Sequence, residues 1–326
     1  MVDRIEVAKR CGVSAMTVSR VVNKKGYVSE ETRKKVEEAI KELGYIPNRL
    51  ASSLVRKLGN EVAIILPDLT NPYYLQVIDA MTREAKKYGY IVSIFKAEEN
   101  ELPDILENTI AMRVAGIVNY GSPFPKEYEK PLREIGAKVV RGDIFEAGFK
   151  LEINYRDAIF EAVKQLKADG RKNIAFVSGM DKEYTFSDIR PKNYLEALEN
   201  QGMPTGKGNI FFGNYPHEKA FEVGKKAATE IVNSGTIIDA AFCMNDMMAL
   251  GLITGLKQYG IRIPEQVAVI GFDDTVISEC SDPPLSSIAT DTEEEARMYI
   301  EYIAGCVSNQ MSELKAIYIK RESSKK

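Results

Sequence analysis

The amino-acid sequence predicts an α/β fold in which a small all-α head precedes a two-lobed body. Two observations support this fold class. The first 46 residues hold three short amphipathic helical segments, whereas residues 61–326 alternate apolar runs with amphipathic segments, as parallel sheets covered by helices do. Charge divides at the same place. Residues 1–60 carry 13 Lys/Arg and 7 Asp/Glu, whereas the remaining residues carry 31 Lys/Arg and 40 Asp/Glu. A basic head on an acidic body favours a polyanion-binding module attached to a second function.

The composition argues against several functional classes. The chain of 326 residues has a single histidine, His217, which is too few for a histidine metal cluster or a Ser-His-Asp triad. Its four cysteines, Cys11, Cys243, Cys280 and Cys306, are far apart, which argues against a zinc site and a disulfide framework. We therefore expect no cofactor and no metal.

The sequence also predicts where the protein works. The N-terminus is polar by its third residue, unlike a signal peptide, and no run of 18 apolar residues occurs. We expect a cytoplasmic protein with no membrane partner.

The head is predicted to contain a helix-turn-helix. A first helix over residues 5–11 ends at Gly12, and Ser14 caps a second helix running roughly to Asn23. Ser29 caps a third helix, which ends at Gly44. A predicted core consists of Val7, Ala8, Val13, Val18 and Val21. Helix, glycine-containing turn and helix is the arrangement that places a second helix in the major groove of DNA.

The second helix presents a polar outer face. Arg20 can donate two hydrogen bonds to a guanine edge, and Ala15 and Met16 offer apolar surface to a thymine methyl. The short side chains that suit phosphates are Thr17, Ser19 and Asn23. The alternative is a three-helix bundle that binds protein.

The run from Val7 to Leu54 closely resembles the DNA-binding head and hinge of LacI/GalR-family transcription repressors. The shared motifs are VA-x-x-x-GVS, TVSRV-x-N, S-x-x-TR-x-x-V and LGY-x-PN, in order and at the family's spacing. The resemblance implies that Ala15 and Met16 set operator preference and that Arg20 reads a base. The implied DNA contacts are Ser14, Ala15, Met16, Thr17, Ser19, Arg20, Asn23, Tyr45, Asn48 and Leu54.

Residues 47–60 are expected to form a hinge and linker. Asn48 can cap a short helix to Arg56, and the resemblance implies that Leu54 wedges into the minor groove and kinks the duplex. The alternative for Leu54 is a buried linker residue. Many relatives have ARSL where this chain has Ala-Ser-Ser-Leu, which puts one arginine contact in doubt.

The body is predicted to form two Rossmann-like lobes. Apolar runs occur at 62–67, 90–95, 115–121, 137–142, 173–179, 239–245 and 267–273, too many for one small sheet. Amphipathic segments lie between them at 72–88, 155–168, 218–232 and 247–259. Ligands of such sheets bind outside the carboxyl ends of the strands, so two facing lobes predict a cleft there.

Polar and aromatic residues follow these predicted strands, as expected for a site that binds a polyhydroxylated ligand. They are Asp68, Asn71, Tyr73, Asp143, Phe186, Arg190, Tyr215, Asn245, Asp246, Asp273 and Asp274. The alternative is that such residues cap the next helix, which we expect of Asp246.

The family resemblance extends over the body through PD-x-x-NP-x-Y, NDMMALG, GI-x-IPE-x-VAVIGFDD and PPL-x-SI. It implies a periplasmic-binding-protein-like domain in which Arg190, Asn245 and Asp273 bind an effector and Tyr215 stacks on it. The further implied effector contacts are Asn71, Tyr73, Asp143 and Phe186. Asn245 favours a sugar over a nucleobase, and Arg190 favours a small molecule over a phosphoprotein. Asn193 stands where relatives have glycine, which narrows the pocket.

No catalytic motif is found. Residues 202–207 (GMPTGK) are one residue short of a P-loop, and the acidic run 291–295 fits a helix N-terminus better than a metal cluster. We therefore expect no enzyme. The prediction is a homodimeric repressor that binds a palindromic operator and answers to a sugar or sugar phosphate. It has a DNA-binding domain at 1–46, a hinge at 47–60 and an effector and dimerisation domain at 61–326.

Two alternatives stay open: a catabolite-control-type regulator that answers to a phosphoprotein, and a cytoplasmic sugar-binding module without DNA activity. The C-terminal sequence KAIYIKRESSKK has no leucine heptads, so a dimer is favoured over a tail-mediated tetramer.

Overall fold

The computed structural model describes residues 2–22, 26–45, 59–140, 148–205, 209–308 and 311–325. The chain divides into two compact units, Met1–Gly59 and Asn60–Lys326, which we call the head and the body.

The head contains three helices: α1 (Arg4–Cys11), α2 (Ala15–Val22) and α3 (Glu30–Leu43). The predicted caps are confirmed, since Ser14 accepts from the Thr17 amide at 3.1 Å and Ser29 accepts from the Thr32 amide. Gly12 and Gly44 end α1 and α3 with φ of 66° and 62°, a conformation that costs glycine little. The chain therefore turns sharply between α1 and α2, as a helix-turn-helix requires.

The core of the head is small and nearly as predicted. Val7, Val18 and Val36 are fully buried, but Val13 is only half-buried at its edge. The second helix is thus anchored through Val18 and Val21, and this leaves its opposite face outward.

The body contains two main sheets, and we call each sheet with its covering helices a lobe. The first is parallel with strand order β2-β1-β3-β4. Its strands are β1 (Glu61–Leu66), β2 (Ile91–Lys96), β3 (Gly116–Asn119) and β4 (Lys138–Val140). The helices between them are α4 (Pro72–Lys87), α5 (Leu102–Met112) and α6 (Glu129–Ile135).

The second lobe is built on six strands in the order β12-β10-β9-β8-β6-β7, all parallel except β12. They are β6 (Ile174–Val177), β7 (Ile210–Phe211), β8 (Ala240–Cys243), β9 (Ala268–Phe272), β10 (Ser286–Ala289) and β12 (Ile317–Ile319). Its helices are α7 (Arg156–Ala168), α8 (Lys182–Thr185), α9 (Ile189–Asn200), α10 (Ala220–Ser234), α11 (Asp246–Gln258) and α12 (Val276–Cys280).

The chain crosses between the lobes more than once. Strands β5 (Lys150–Asn154) and β11 (Met311–Lys315) form a separate parallel pair. Helix α13 (Thr292–Ala304) follows β10 of the second lobe but buries Ala296, Tyr299 and Ile300 in the core of the first. The first lobe is therefore assembled from two distant stretches of sequence.

Two helices of the second lobe cross at close range. A Cβ on Gly251 of α11 would lie 2.0 Å from the Phe221 carbonyl oxygen, and one on Gly224 of α10 would lie 2.0 Å from the Met248 oxygen. This contact fixes α11, whose N-terminus carries Asn245 and Asp246.

The predicted α/β fold class is confirmed, with each of the seven predicted apolar runs containing a strand. The sequence did not reveal β5, β7, β10, β11 and β12, because they are short or carry charged residues. No helix in the described ranges is long and apolar enough to cross a membrane. Among the same residues, no group of three or more His, Cys, Asp or Glu could hold a metal ion.

Candidate functional site

The carboxyl ends of the parallel strands bring the polar residues of both lobes together. Asn71 follows β1 and Tyr120 follows β3 in the first lobe, while Asn245 follows β8 and Asp273 follows β9 in the second. We call the space that they share the cleft.

Arg190 is the central cation of the cleft, in the first turn of α9. Its Nε and Nη2 donate to Asp188 Oδ1 and Oδ2 at 3.0 and 2.7 Å, and its Nη1 donates to the Met244 carbonyl at 2.9 Å. The guanidinium carbon lies 5.6 Å from the Tyr155 ring centre and 5.5 Å from that of Phe272. Only 16% of the Arg190 side chain is exposed, so its head is fixed in position.

Asp273 is the carboxylate next to Arg190. Burial raises its pKa to about 6, and the charges of Glu295 and Asp188 act in the same direction. Arg190 and a hydrogen bond from the Asn71 side chain oppose that shift. Asp273 also has φ of 97°, an uncommon conformation for a residue other than glycine. Backbone strain of this kind occurs at ligand sites held by their surroundings.

Asn71 connects the two lobes. Its Oδ1 accepts from the Tyr73 amide at 3.1 Å and caps α4, so its amide nitrogen is the donor to Asp273. The first turn of α4 is therefore tied directly to the strand-end loop of the second lobe.

Tyr215 and Tyr74 both contribute aromatic side chains to the cleft. Burial raises the pKa of the Tyr215 hydroxyl, and so do the neighbouring Tyr74 and the charges of Asp68 and Asp273. The Tyr215 hydroxyl is buried and has no hydrogen-bond partner among the described residues. Tyr215 comes from the second lobe and Tyr74 from the first, so both lobes supply aromatic surface.

The wall of the cleft on the first lobe contains a buried carboxylate. Glu295 of α13 is fully buried, and it accepts from the Tyr73 hydroxyl at 2.9 Å and from the Tyr120 hydroxyl at 2.6 Å. Tyr73, Tyr74 and Tyr120 pack edge to face with ring centres 5.5 to 6.2 Å apart.

The prediction that Asp246 caps the following helix is wrong. Asn245 is the cap, because its backbone is extended and its Oδ1 accepts from the Met248 amide at 2.8 Å. Asp246 is fully buried and accepts from the amide and hydroxyl of Thr275 at 2.7 and 3.0 Å and from the Ser287 hydroxyl at 2.7 Å. Burial and the neighbouring Asp273 raise its pKa to about 8, although these hydrogen bonds oppose the shift.

Most residues predicted for the cleft converge. Asn71, Arg190, Tyr215 and Asp273 interact as described, and Asn245 adjoins the Met244 carbonyl that Arg190 contacts. Tyr73 is present, but its hydroxyl is engaged by Glu295. Phe186 lies at the end of α8 and packs on the core of the second lobe. Asp143 lies outside the described residues.

Several residues that shape the site were not predicted from the sequence: Asp188, Tyr155, Phe272, Tyr74, Tyr120 and Glu295. The sequence did contain a pattern that indicates Asp188. An Asp two residues before an Arg at the start of a helix can both cap the helix and bind the guanidinium. For Glu295 the sequence offered only its place in an acidic helix N-terminus.

In the head, α2 presents the predicted outer face. Met16 is 66% exposed, Arg20 is exposed, and Ser14 and Thr17 share a hydroxyl hydrogen bond at 2.9 Å. Ala15 is half-buried and packs on the core of the head.

Tyr45, which the family resemblance assigns to DNA, is 7% exposed and packs with the buried core of the head; its DNA contact stays a prediction. Asn23, Asn48 and Leu54 lie outside the described residues.

Comparison with known protein families matches both units. Residues 5–48 match the bacterial regulatory proteins of the lacI family, and residues 163–324 match the periplasmic binding protein-like domain. Among solved structures, a complex of the transcriptional regulator CelR with cellobiose is 26% identical, with a TM-score of 0.71 over 99% of this chain and 100% of that one. The lac repressor dimer bound to operator and the anti-inducer ONPF is 25% identical, with a TM-score of 0.80 over 99% of both chains.

Curated relatives agree with these matches. Catabolite control protein A of Priestia megaterium is 33% identical over 288 residues, which cover 87% of this chain and 86% of that protein. The transcriptional repressor CytR of Escherichia coli (strain K12) is 29% identical over 289 residues, which cover 87% of this chain and 83% of that protein. The resemblance found in the sequence is confirmed, and the chain belongs to the LacI family of bacterial regulatory proteins.

Proposed function

We propose that this transcription regulator binds a palindromic operator as a homodimer and that a polyhydroxylated small molecule, a sugar or sugar phosphate, in the cleft changes its operator affinity. The observation that carries the proposal is the set of Arg190, Asp273 and Asn71, in which a fixed guanidinium, a buried carboxylate and an amide from the opposite lobe meet. It is a binding function, and we assign no catalytic step to these residues.

The chemistry of the cleft suits a sugar. Neighbouring hydroxyls can donate to a carboxylate such as Asp273 and accept from amide and guanidinium N–H groups. Tyr155 and Tyr215 are half-buried and offer ring faces to the apolar side of a sugar ring, whereas Phe272 is fully buried and packs near the Arg190 guanidinium. A relative of similar fold has cellobiose bound, which supports the same class of ligand for this chain.

The contact between Asn71 and Asp273 suggests how the signal is transmitted. A ligand that inserts between these side chains replaces their direct hydrogen bond with bonds to its own hydroxyls, and so changes the relative stability of the lobe arrangements. Such a ligand shifts the equilibrium only by its difference in affinity for the two states.

For the head, we propose that α2 reads the major groove. Met16 and Arg20 are exposed for base contacts, with Ala15 beside them, and Ser14, Thr17 and Ser19 lie where short donors can reach phosphates. Asn23, Tyr45, Asn48 and Leu54 keep their assignments from the family resemblance. The lac repressor, of similar fold, is a dimer on its operator, which supports the same assembly here.

We propose the corresponding division of labour: DNA binding by residues 1–46, a hinge at 47–60, and effector binding with dimerisation by residues 61–326.

The test combines a thermal-shift screen of sugars and sugar phosphates with operator binding measured by fluorescence anisotropy. A ligand at a hundredfold excess over its dissociation constant should raise the free energy of unfolding by about 2.7 kcal/mol. It should also change operator affinity, and Arg190→Ala should abolish both effects. Arg156→Ala is the matched control, because Arg156 pairs with Glu196 on the surface of the same lobe.

One relative supports a second candidate. Catabolite control protein A is 33% identical to this chain, and the family's catabolite-control branch answers to a phosphoprotein. Operator binding that responds to a phosphoprotein and to no sugar would favour this candidate over the first.

A further inference from the structure

The cleft holds more negative than positive charge in its described residues. Asp273 is surrounded by Arg190, Glu295 and Asp188, and Asp68 acts on Tyr215 nearby. The charge balance bears on which class of sugar the cleft accepts, because a phosphate ester adds up to two negative charges to its sugar.

Arg190 is poorly available to a phosphate. Three of its five N–H donors are used by Asp188 and the Met244 carbonyl, and the Asp188 pair is bidentate. The charge of the guanidinium is thereby balanced inside the protein, and the two remaining N–H donors suit the oxygens of neutral hydroxyls.

Glu295 adds a fixed negative charge on the opposite wall. Its two oxygens accept from the hydroxyls of Tyr73 and Tyr120, which hold the carboxylate in place beneath the rings. Its charge reaches Asp273 across the cleft, since it is one of the groups that raise the pKa of that carboxyl. Tyr73 follows the cap Asn71 at the start of α4, so Glu295 lies behind the part of the first lobe that contacts the second.

We propose that Glu295 makes the cleft selective for unphosphorylated sugars, by holding a buried negative charge in the wall opposite a guanidinium that Asp188 already neutralises. This inference rests on the proposed effector function, and it narrows the effector from a sugar or sugar phosphate to a neutral sugar.

The experiment compares matched pairs by isothermal titration: glucose, fructose, trehalose and cellobiose, each against its 6-phosphate ester. In the wild-type protein at least one free sugar should bind, and its ester should bind about a hundredfold more weakly. That factor is expected for one added negative charge about 6 Å from a carboxylate at an effective dielectric constant of about 20. Glu295→Gln should lower the ratio of the sugar's affinity to the ester's affinity by at least about tenfold, because it removes the charge and keeps the size of the side chain.

Two variants separate charge from positioning. Glu293→Gln removes a charge from the same helical turn, but Glu293 is exposed and pairs with Arg83, so the ratio should not change. Tyr120→Phe keeps the carboxylate and removes one of its donors, so the preference for the free sugar should persist. If Glu295 served only to position the tyrosines, Glu295→Gln and Tyr120→Phe would weaken the binding of sugar and ester equally.

Tighter or equal binding of an ester, or a ratio unchanged in Glu295→Gln, would overturn the inference and leave the proposed function standing. Binding of neither class to the wild-type protein would overturn the proposed effector function itself, and with it this inference.

Discussion

The buried carboxylate of Asp246 should make the stability of the protein depend on pH in an unusual direction. Burial, with Asp273 nearby, raises its pKa from the ordinary 3.8 to about 8, so the native state holds a proton that the unfolded state releases above pH 4. The free energy of unfolding must therefore fall as pH rises between about 4 and 8.

The size of this effect follows from the shift. Each pH unit inside that window lowers the free energy of unfolding by about 1.4 kcal/mol. Asp273, whose pKa is raised to about 6, contributes in the same direction, but it is half-titrated at pH 6 and adds only about 0.4 kcal/mol above that pH. Between pH 6 and pH 7.5 the decline therefore comes mainly from Asp246, which contributes about 2 kcal/mol.

Asp246→Asn should remove this decline. An asparagine can keep its oxygen toward the Thr275 amide and hydroxyl and donate its amide to the Ser287 hydroxyl, which can accept as well as donate. Asp246→Ala should instead cost about 3 to 5 kcal/mol, because it leaves those buried donors without an acceptor.

Urea unfolding followed by circular dichroism at pH 5, 6 and 7.5 measures these free energies. Asp104→Asn, at an exposed carboxylate in the first turn of α5, is the control and should follow the wild-type protein. Parallel pH curves for the wild-type protein and Asp246→Asn would refute the reasoning.

Three further substitutions test the head, the hinge and the helix crossing. Arg20→Ala should reduce discrimination between operator and scrambled DNA by about 1–3 kcal/mol, because one bidentate base contact is lost. Stability should be unchanged because Arg20 is exposed. An unchanged sequence preference in an anisotropy titration would contradict this. Leu54→Ala should lower operator affinity by reducing DNA bending. If a fluorescence energy transfer assay shows an unchanged bend and the affinity is also unchanged, the minor-groove assignment of Leu54 is wrong. Gly251→Ala should destabilise the body by about 2 kcal/mol or more, because the new Cβ would lie 2.0 Å from the Phe221 carbonyl oxygen. A thermal unfolding curve that matches that of the wild-type protein would show that α10 and α11 can separate without cost.

The parts of the structure that local sequence controls could be predicted. Ser14, Ser29 and Gly44 occupy the caps expected of them, because capping depends on a few neighbouring residues. The meeting of Arg190 with Asp273 also followed from the sequence, since strand ends of parallel sheets share one edge.

Contacts between distant residues could not be predicted in the same way. Glu295 and Tyr73 are 222 positions apart, and only the crossing of α13 into the first lobe brings them together. The assignment of the cap to Asp246 failed because Asn and Asp stand side by side, and the sequence does not show which of them has the extended backbone that a cap requires.

The divided construction of the first lobe has a consequence for the protein during its synthesis. Strand β4 ends at Val140 and α13 begins at Thr292, so about 150 residues must be translated before the helix that covers one face of the first sheet exists. At about 5–20 residues per second, that interval lasts on the order of 10–30 s. Throughout it, the apolar face that will receive Tyr299 and Ile300 is covered by α4 alone, and the nascent chain presents the remaining part to chaperones or to neighbouring chains. Overexpression at high temperature should therefore yield aggregates nucleated by the unfinished first lobe.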